Sequence, residues 1–445
     1  MMRKQLCAIV AVFVGTGLTL GGQQPPPAPP PVAPAQGTAA PASATNLGAD
    51  ANGNPLRRAL KTGHVSNYDE AKVAPFTLPD PLVLANGQPV RDRQTWATRR
   101  RPEILRMYET EIYGRLPEKT PAVTWQVAET DANAREGTAV MKKIVGTIGS
   151  GPDAPQIKLT LYTPSAAKTP VPVILLVNFG GGPPPPAPPQ GRGGAGFPTD
   201  PPVAAEIISR GWGYATVGYQ DIQPDRLNTF TQGVIGRTLA PGQEQPAPDE
   251  WGTISAWSWG VSRMIDYLET DRSVNARQVA LFGHSRLGKT ALWATAKDER
   301  IAAAFSSCSG EMGAALARRD WGETVDDMAQ NFPWQFAGNF QKWAGRWNEM
   351  PVDAHMLIAL AAPRPVFISG GTADQWADPV GMFKAAVAAG PVYRLLGKND
   401  LGTTNLPALD TPLTSGDIGW TYHTGGHTAT PADWKAFLDF LGKYF

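Results

Sequence analysis

The stretch LFGHSRLGKT, residues 281–290, sets a serine between a short apolar run and a helical segment, with a histidine before it and two cations after. A hydroxyl so placed suits nucleophilic attack if a base and an acid can reach it. QVALFG (278–283) reads as a buried strand, and Leu287, Ala291 and Ala294 of RLGKTALWATAK fall at helical spacing. Ser285 therefore lies on a tight strand-turn-helix, which exposes its hydroxyl and aims the helix N-terminus at developing negative charge. The pattern departs from Gly-x-Ser-x-Gly: Gly283 is in place, but Leu287 holds the second position after the serine and Gly288 follows one later. The plainer role for Ser285 is a helix N-cap. Against it, Arg286 and Lys289 occupy the first turn, where the helix dipole disfavours each cation by roughly 0.3–1 kcal/mol. Charges set against local stability point to work at a site, although solvated side chains are the bland alternative.

Five histidines are available as the base. His64 lies in a polar N-terminal segment, the turn should point His284 away, and His355 sits in VDAHMLIALAAPRPVF, leading into a strand. His423 and His427 remain, in TYHTGGHTATPADW, ahead of a terminal helix that Thr430 can cap with Pro431 in its first turn. His427 follows Gly425 and Gly426, on a loop flexible enough to reach the serine. The acid is expected between serine and histidine in sequence, the α/β-hydrolase order. PVFISGGTADQWADP supplies Asp374 just past a strand; Glu311 is the rival, and Asp378 suits a helix start because Pro379 follows. No metal or cofactor is expected: the one His-x-x-x-His spacing, His423 to His427, falls on a glycine loop, with no HExxH or cysteine cluster.

Three such residues need a scaffold that brings three loops to one edge. RPEILRMYETEIYG (101–114) has helical spacing, while VTWQVAET, TAVMKKIVGTI and IKLTLYTP read as successive strands. Short apolar runs then alternate with helical segments: 171–179, 214–219, 278–283, 301–308, 365–370 and PVYRLLG at 391–397. This pattern predicts an α/β fold, a mostly parallel sheet with helices on both faces in three layers. Its strand ends would set Ser285, Asp374 and His427 along one edge. The domain should span 46–445, with a Pro/Gly-rich surface insertion at 180–202.

MMRKQLCAIVAVFVGTGLTLGG (1–22) reads as an export signal, followed by a Pro/Ala-rich linker at 23–45. Export puts the mature chain in the periplasm or outside the cell, with no membrane attachment after cleavage. Cys308 would be its one thiol, leaving no internal disulfide. With 40 Lys+Arg against 39 Asp+Glu, neither nucleic acid nor an anionic membrane is indicated. The chain is expected to be a monomer acting on a small or neutral partner.

GHSRLGKTALWA, GAALARRDWGETV, NFPWQFAGNF, DAHMLIALAAPRPVFISGGTADQWADP and YHTGGHTATPADW together resemble the bacterial glucuronoyl esterases, carbohydrate esterase family 15. The likeness runs from about residue 50 to the C-terminus. It implies an α/β-hydrolase fold and hydrolysis of the ester joining (4-O-methyl-)glucuronate of glucuronoxylan to lignin alcohols. By position it makes Ser285 the nucleophile, His427 the base and Arg286 an oxyanion ligand. Lys289, Glu323 and Trp376 would hold the sugar. Two departures stand out. Cys308, in CSGEMG, takes the place where many members carry a catalytic glutamate, and NFGGGPPPP replaces an Asn-Phe-x-Gly-Asn-His-like stretch. The alternatives are another carbohydrate esterase, such as an acetyl esterase on xylan, or a catalytically silent polysaccharide-binding homologue. For Glu323 the structural alternative is an ion pair with Arg318 or Arg319, and for Trp376 a place in the core.

Overall fold

A computed structural model describes residues 45–180 and 200–445. The expected signal, the linker up to residue 44 and residues 181–199 of the insertion lie outside the described residues. Among the described residues no helix is long and apolar enough to cross a membrane.

A small antiparallel pair, β1 (Thr45–Ala49) and β2 (Pro55–Arg58), precedes the main sheet. The main sheet contains β3 (Val123–Ala134), β4 (Ala139–Ile148), β5 (Gln156–Pro164), β6 (Val171–Asn178) and β7 (Gly213–Gly218), then β8 (Val274–His284), β9 (Ala303–Ser307), β10 (Val366–Gly371) and β11 (Ile418–His423). Its order is β11-β10-β9-β8-β6-β7-β5-β4-β3. The strands from β11 to β7 run parallel, and β5, β4 and β3 continue the sheet antiparallel. Alternation along the central strands separates two cores. Val173, Leu175 and Val177 face one with Leu281, whereas Ile174 and Leu176 face the other with Ala280 and Phe282. The first core is covered by the helices Thr253–Thr270, Arg286–Lys297, Ala354–Ala361 and Pro379–Leu395, the second by Ala204–Ser209 and Pro431–Leu441. These are the three layers expected of an α/β-hydrolase.

Two assignments differ from the sequence reading. PVYRLLG is not a strand but the end of the Pro379–Leu395 helix, in which buried Ala385, Ala389, Val392 and Tyr393 keep a helical stripe despite Pro391. The outer strand is instead IGWTYH, β11, which the sequence hid because Gly419 and Thr421 interrupt its apolar run. A Cβ on Gly419 would fall 2.4 Å from the Phe367 ring, so the gap is a packing requirement of the neighbouring strand. His355 lies in the Ala354–Ala361 helix, the segment that leads into β10.

Candidate active site

Ser285 follows β8 with φ 57° and ψ −129°. Such a conformation costs a non-glycine residue on the order of 1–3 kcal/mol and persists only where the surroundings impose it. Here Ser285 N–H donates to Ser307 O at 2.8 Å, while Gly288 and Lys289 N–H donate to Ser285 O at 2.8 and 3.2 Å. The hydroxyl caps nothing at the helix start, so the N-cap alternative does not describe this serine. Packing explains both glycines of the motif. A Cβ on Gly283 would stand 1.9 Å from Leu287 O, and one on Gly288 would stand 2.9 Å from Ser309 Cβ. The first keeps the turn tight, and the second seats the helix on the segment after β9.

The acid and the imidazole come together at the far side of the sheet edge. His427 Nδ1 lies 2.6 Å from Asp374 Oδ2, whose carboxylate is buried. Their two loops are joined by backbone: Ala373 N–H donates to Gly425 O at 2.7 Å and Thr372 N–H to His423 O at 3.0 Å. Gly371 permits this approach, since its Cβ would fall 2.3 Å from Gly426 O. Of the loop's own glycines, Gly425 adopts φ 132°, in the region that favours glycine, and a Cβ on Gly426 would meet nothing within 4 Å.

His284, expected to point away, packs its ring 4.6 Å from that of His427. The side chain that precedes Ser285 reaches β9, where His284 Nδ1 lies 3.2 Å from Ser307 Oγ. Burial, with His427 and His423 adding to it, pushes the His284 pKa well below the usual range, leaving a neutral wall behind the base.

His423 supports the same loop. Its Nδ1 forms an ion pair with Asp433 at 2.9 Å, and its Nε2 lies 3.2 Å from Gly426 O. Burial alone would lower its pKa, but the Asp433 carboxylate more than offsets this and raises it. A histidine raised on folding contributes stability that is whole below the unfolded pKa and is lost as pH climbs through the folded one. Resistance to urea is therefore expected to fall as pH rises above the ordinary histidine value of about 6.5 and through the raised folded one. Unfolding curves of His423→Gln should show a flatter dependence over that window.

Glu311, the rival acid, is buried with Oε1 unpartnered. Burial first, then Asp353 and Glu323, push its carboxyl well above the ordinary range. Among the described residues His427 pairs with Asp374, not Glu311. Asp378 accepts from Gly381 N–H at 2.8 Å and caps the helix that follows, as its Pro379 neighbour suggested. Cys308 is buried, with Sγ donating to Thr428 O at 3.4 Å; burial and then the Asp374 charge push its thiol pKa well up.

The cations are both engaged. Arg286 forms an ion pair with Asp225 and lies over the Phe332 ring at 5.1 Å. Asp225 also accepts from Trp334 Nε1 at 2.7 Å, Gln335 Nε2 at 2.8 Å and Tyr219 OH at 3.1 Å. This carboxylate was missed in the sequence, although it follows the YATVGY strand on the same edge. Lys289 is buried with Nζ 3.8 Å from Glu323 Oε2; burial lowers its pKa and Glu323 opposes that. Glu323 Oε1 accepts from Trp376 Nε1 at 2.8 Å. Trp376 is itself largely buried, and Arg57, also missed, lies over its ring at 4.5 Å from the end of β2. Arg318 and Arg319 pair elsewhere, with Asp353 and with Glu70 and Asp378, so the suggested pairing to Glu323 is absent.

Chemically, this edge carries a half-buried serine on a strained turn, an imidazole–carboxylate pair, an anchored guanidinium and a Lys–Glu–Trp group able to bind hydroxyls. The family described as "Glucuronyl esterase, fungi" matches residues 246–397. Over 399 residues the chain is 38% identical to carbohydrate esterase MZ0003 of an unknown prokaryotic organism, covering 85% of this chain and 92% of that one. It is 41% identical to the solved glucuronoyl esterase from Solibacter usitatus, with TM-score 0.76, covering 84% of this chain and 99% of the other. It is 37% identical to a solved promiscuous CE15 esterase from a marine bacterial metagenome, with TM-score 0.75, covering 85% and 100% of the two chains.

Proposed function

The chain belongs to the glucuronoyl esterases of carbohydrate esterase family 15, and from that premise we propose that it opens glucuronoyl esters through an acyl-enzyme on Ser285. The observation that carries this reading is the His427–Asp374 pair at 2.6 Å, beside a serine held in a strained turn. Ser285 Oγ attacks the uronate carbonyl carbon and His427 takes its proton. His427 then returns the proton to the leaving alcohol, and water repeats the cycle on the acyl-enzyme. Asp374 orients the imidazole and stabilises its cation. Arg286, fixed by Asp225, and the unpaired backbone N–H groups of the helix start face the oxyanion. Lys289, Glu323 and Trp376 hold the sugar.

The polymer substrate in this reading is glucuronoxylan esterified to lignin alcohols. A cross-linked wall polymer cannot enter a cell, which supports export by residues 1–22. Hydrolysis of benzyl glucuronate set against nitrophenyl acetate, with Ser285→Ala as control, tests the whole. Preference for the acetate would indicate an acetyl esterase. No turnover, with xylan still retarding the protein in affinity electrophoresis, would indicate a silent binding homologue.

The two cations should differ in kind. Lys289→Ala is expected mainly to raise KM, because a ground-state contact to sugar hydroxyls is lost. Arg286→Ala is expected mainly to lower kcat, by about 10²–10³, because its contact strengthens as the oxyanion forms. Steady-state kinetics on benzyl glucuronate separate the two, and a change confined to KM in both would remove Arg286 from the oxyanion.

A further inference from the structure

We propose that Cys308, Asp374 and His427 together form an inhibitory site for soft divalent cations such as zinc and cadmium. One ligating atom from each residue lies within 4.8 Å of the other two. Around a tetrahedral zinc ion such atoms stand roughly 3.5 Å apart, so side-chain shifts of about 1 Å close the set. The sequence argued against a metal because it considered the His423–His427 spacing. The fold instead directs His423 to Asp433 and brings in a thiol from the neighbouring strand end.

The donors select the ion. One thiolate, one imidazole and one carboxylate suit borderline and soft metals, whereas magnesium and calcium demand six or more oxygens. Thr428 O, 3.4 Å from Cys308 Sγ, or a water can complete the coordination. Cys308 and Asp374 are buried, but the His427 side chain is 24% exposed and gives the ion its entrance. On binding, the hydrated ion sheds water, the thiol releases its proton to solvent and a metal–sulfur bond forms. No electron changes hands. The ion occupies the carboxylate and the imidazole, and Ser285 is left without its base. This inhibition rests on the roles proposed above for His427 and Asp374, whereas the ligand set rests on geometry alone.

The full chain is titrated with cadmium chloride while two signals are followed. One is the ultraviolet thiolate-to-cadmium charge-transfer band, and the other is benzyl glucuronate hydrolysis relative to each variant's own metal-free rate. The band is expected to saturate at about one cadmium per chain, in step with loss of activity, with chelator restoring both and magnesium doing neither. Cys308→Ser and Cys308→Ala should lack the band and need at least about tenfold more cadmium for half-inhibition. Inhibition without the band, or equal half-inhibition in both variants, would overturn the site. A band formed without loss of activity would overturn the inhibition, and with it the roles given to His427 and Asp374, while leaving the ligand set intact.

Discussion

Ser285→Ala and His427→Ala are each expected to lower kcat on benzyl glucuronate by about 10⁵–10⁶, and the double variant by no more than either alone. The two residues perform one act, since the hydroxyl is a poor nucleophile until the imidazole takes its proton. Once one is gone the other has nothing to do. The rate that survives should still exceed the uncatalysed rate by about 10³–10⁴, because the oxyanion contacts remain. Single-turnover rates of the three variants decide this. Additive losses would mean that the serine and the histidine serve different steps.

Asp374→Asn is expected to cost about 10³–10⁴ in kcat, and Glu311→Gln less than about tenfold. An amide can keep the 2.6 Å contact to His427 Nδ1, but it fixes the wrong tautomer and carries no charge to stabilise the imidazolium. Glu311 is a poor substitute, because burial pushes its carboxyl well above the ordinary range and, among the described residues, His427 pairs with Asp374. Burial likewise pushes the Cys308 thiol up, away from the anionic form. Near-full activity in Asp374→Asn, with collapse in Glu311→Gln, would reverse the assignment.

The elbow at Ser285 and the three-layer sheet were legible because each depends on local pattern. A strand, a glycine and a helical stripe lie within twenty residues of Ser285. What stayed hidden depends on pairs distant in the chain. Asp225 acquires its role only when Arg286, Trp334 and Gln335 converge on it, and Arg57 only when β2 lies over Trp376. The packing of His284 against His427 stayed hidden because it depends on a loop distant in the chain. PVYRLLG and IGWTYH exchanged roles because short apolar runs do not distinguish a buried helix end from a strand. In the first, tertiary packing carries the helix through Pro391.

The backbone bridges around Gly371 carry a consequence for motion. Thr372 and Ala373 donate to carbonyls of the strand and loop leading to His427, so the acid's loop cannot open without the base's loop. The dyad is thus a property of a cooperative folding unit that includes the ends of β10 and β11. The amides of Thr372 and Ala373 should exchange with deuterium together, at one opening free energy shared with the two strand ends. A methyl group at Gly371, pressed against Gly426 O, should split that unit, so that Gly371→Ala gives two exchange classes and lower activity at nearly unchanged global stability. Preorganisation at this edge would then be read as a timescale: the base and the acid lose their alignment only as often as the sheet edge frays.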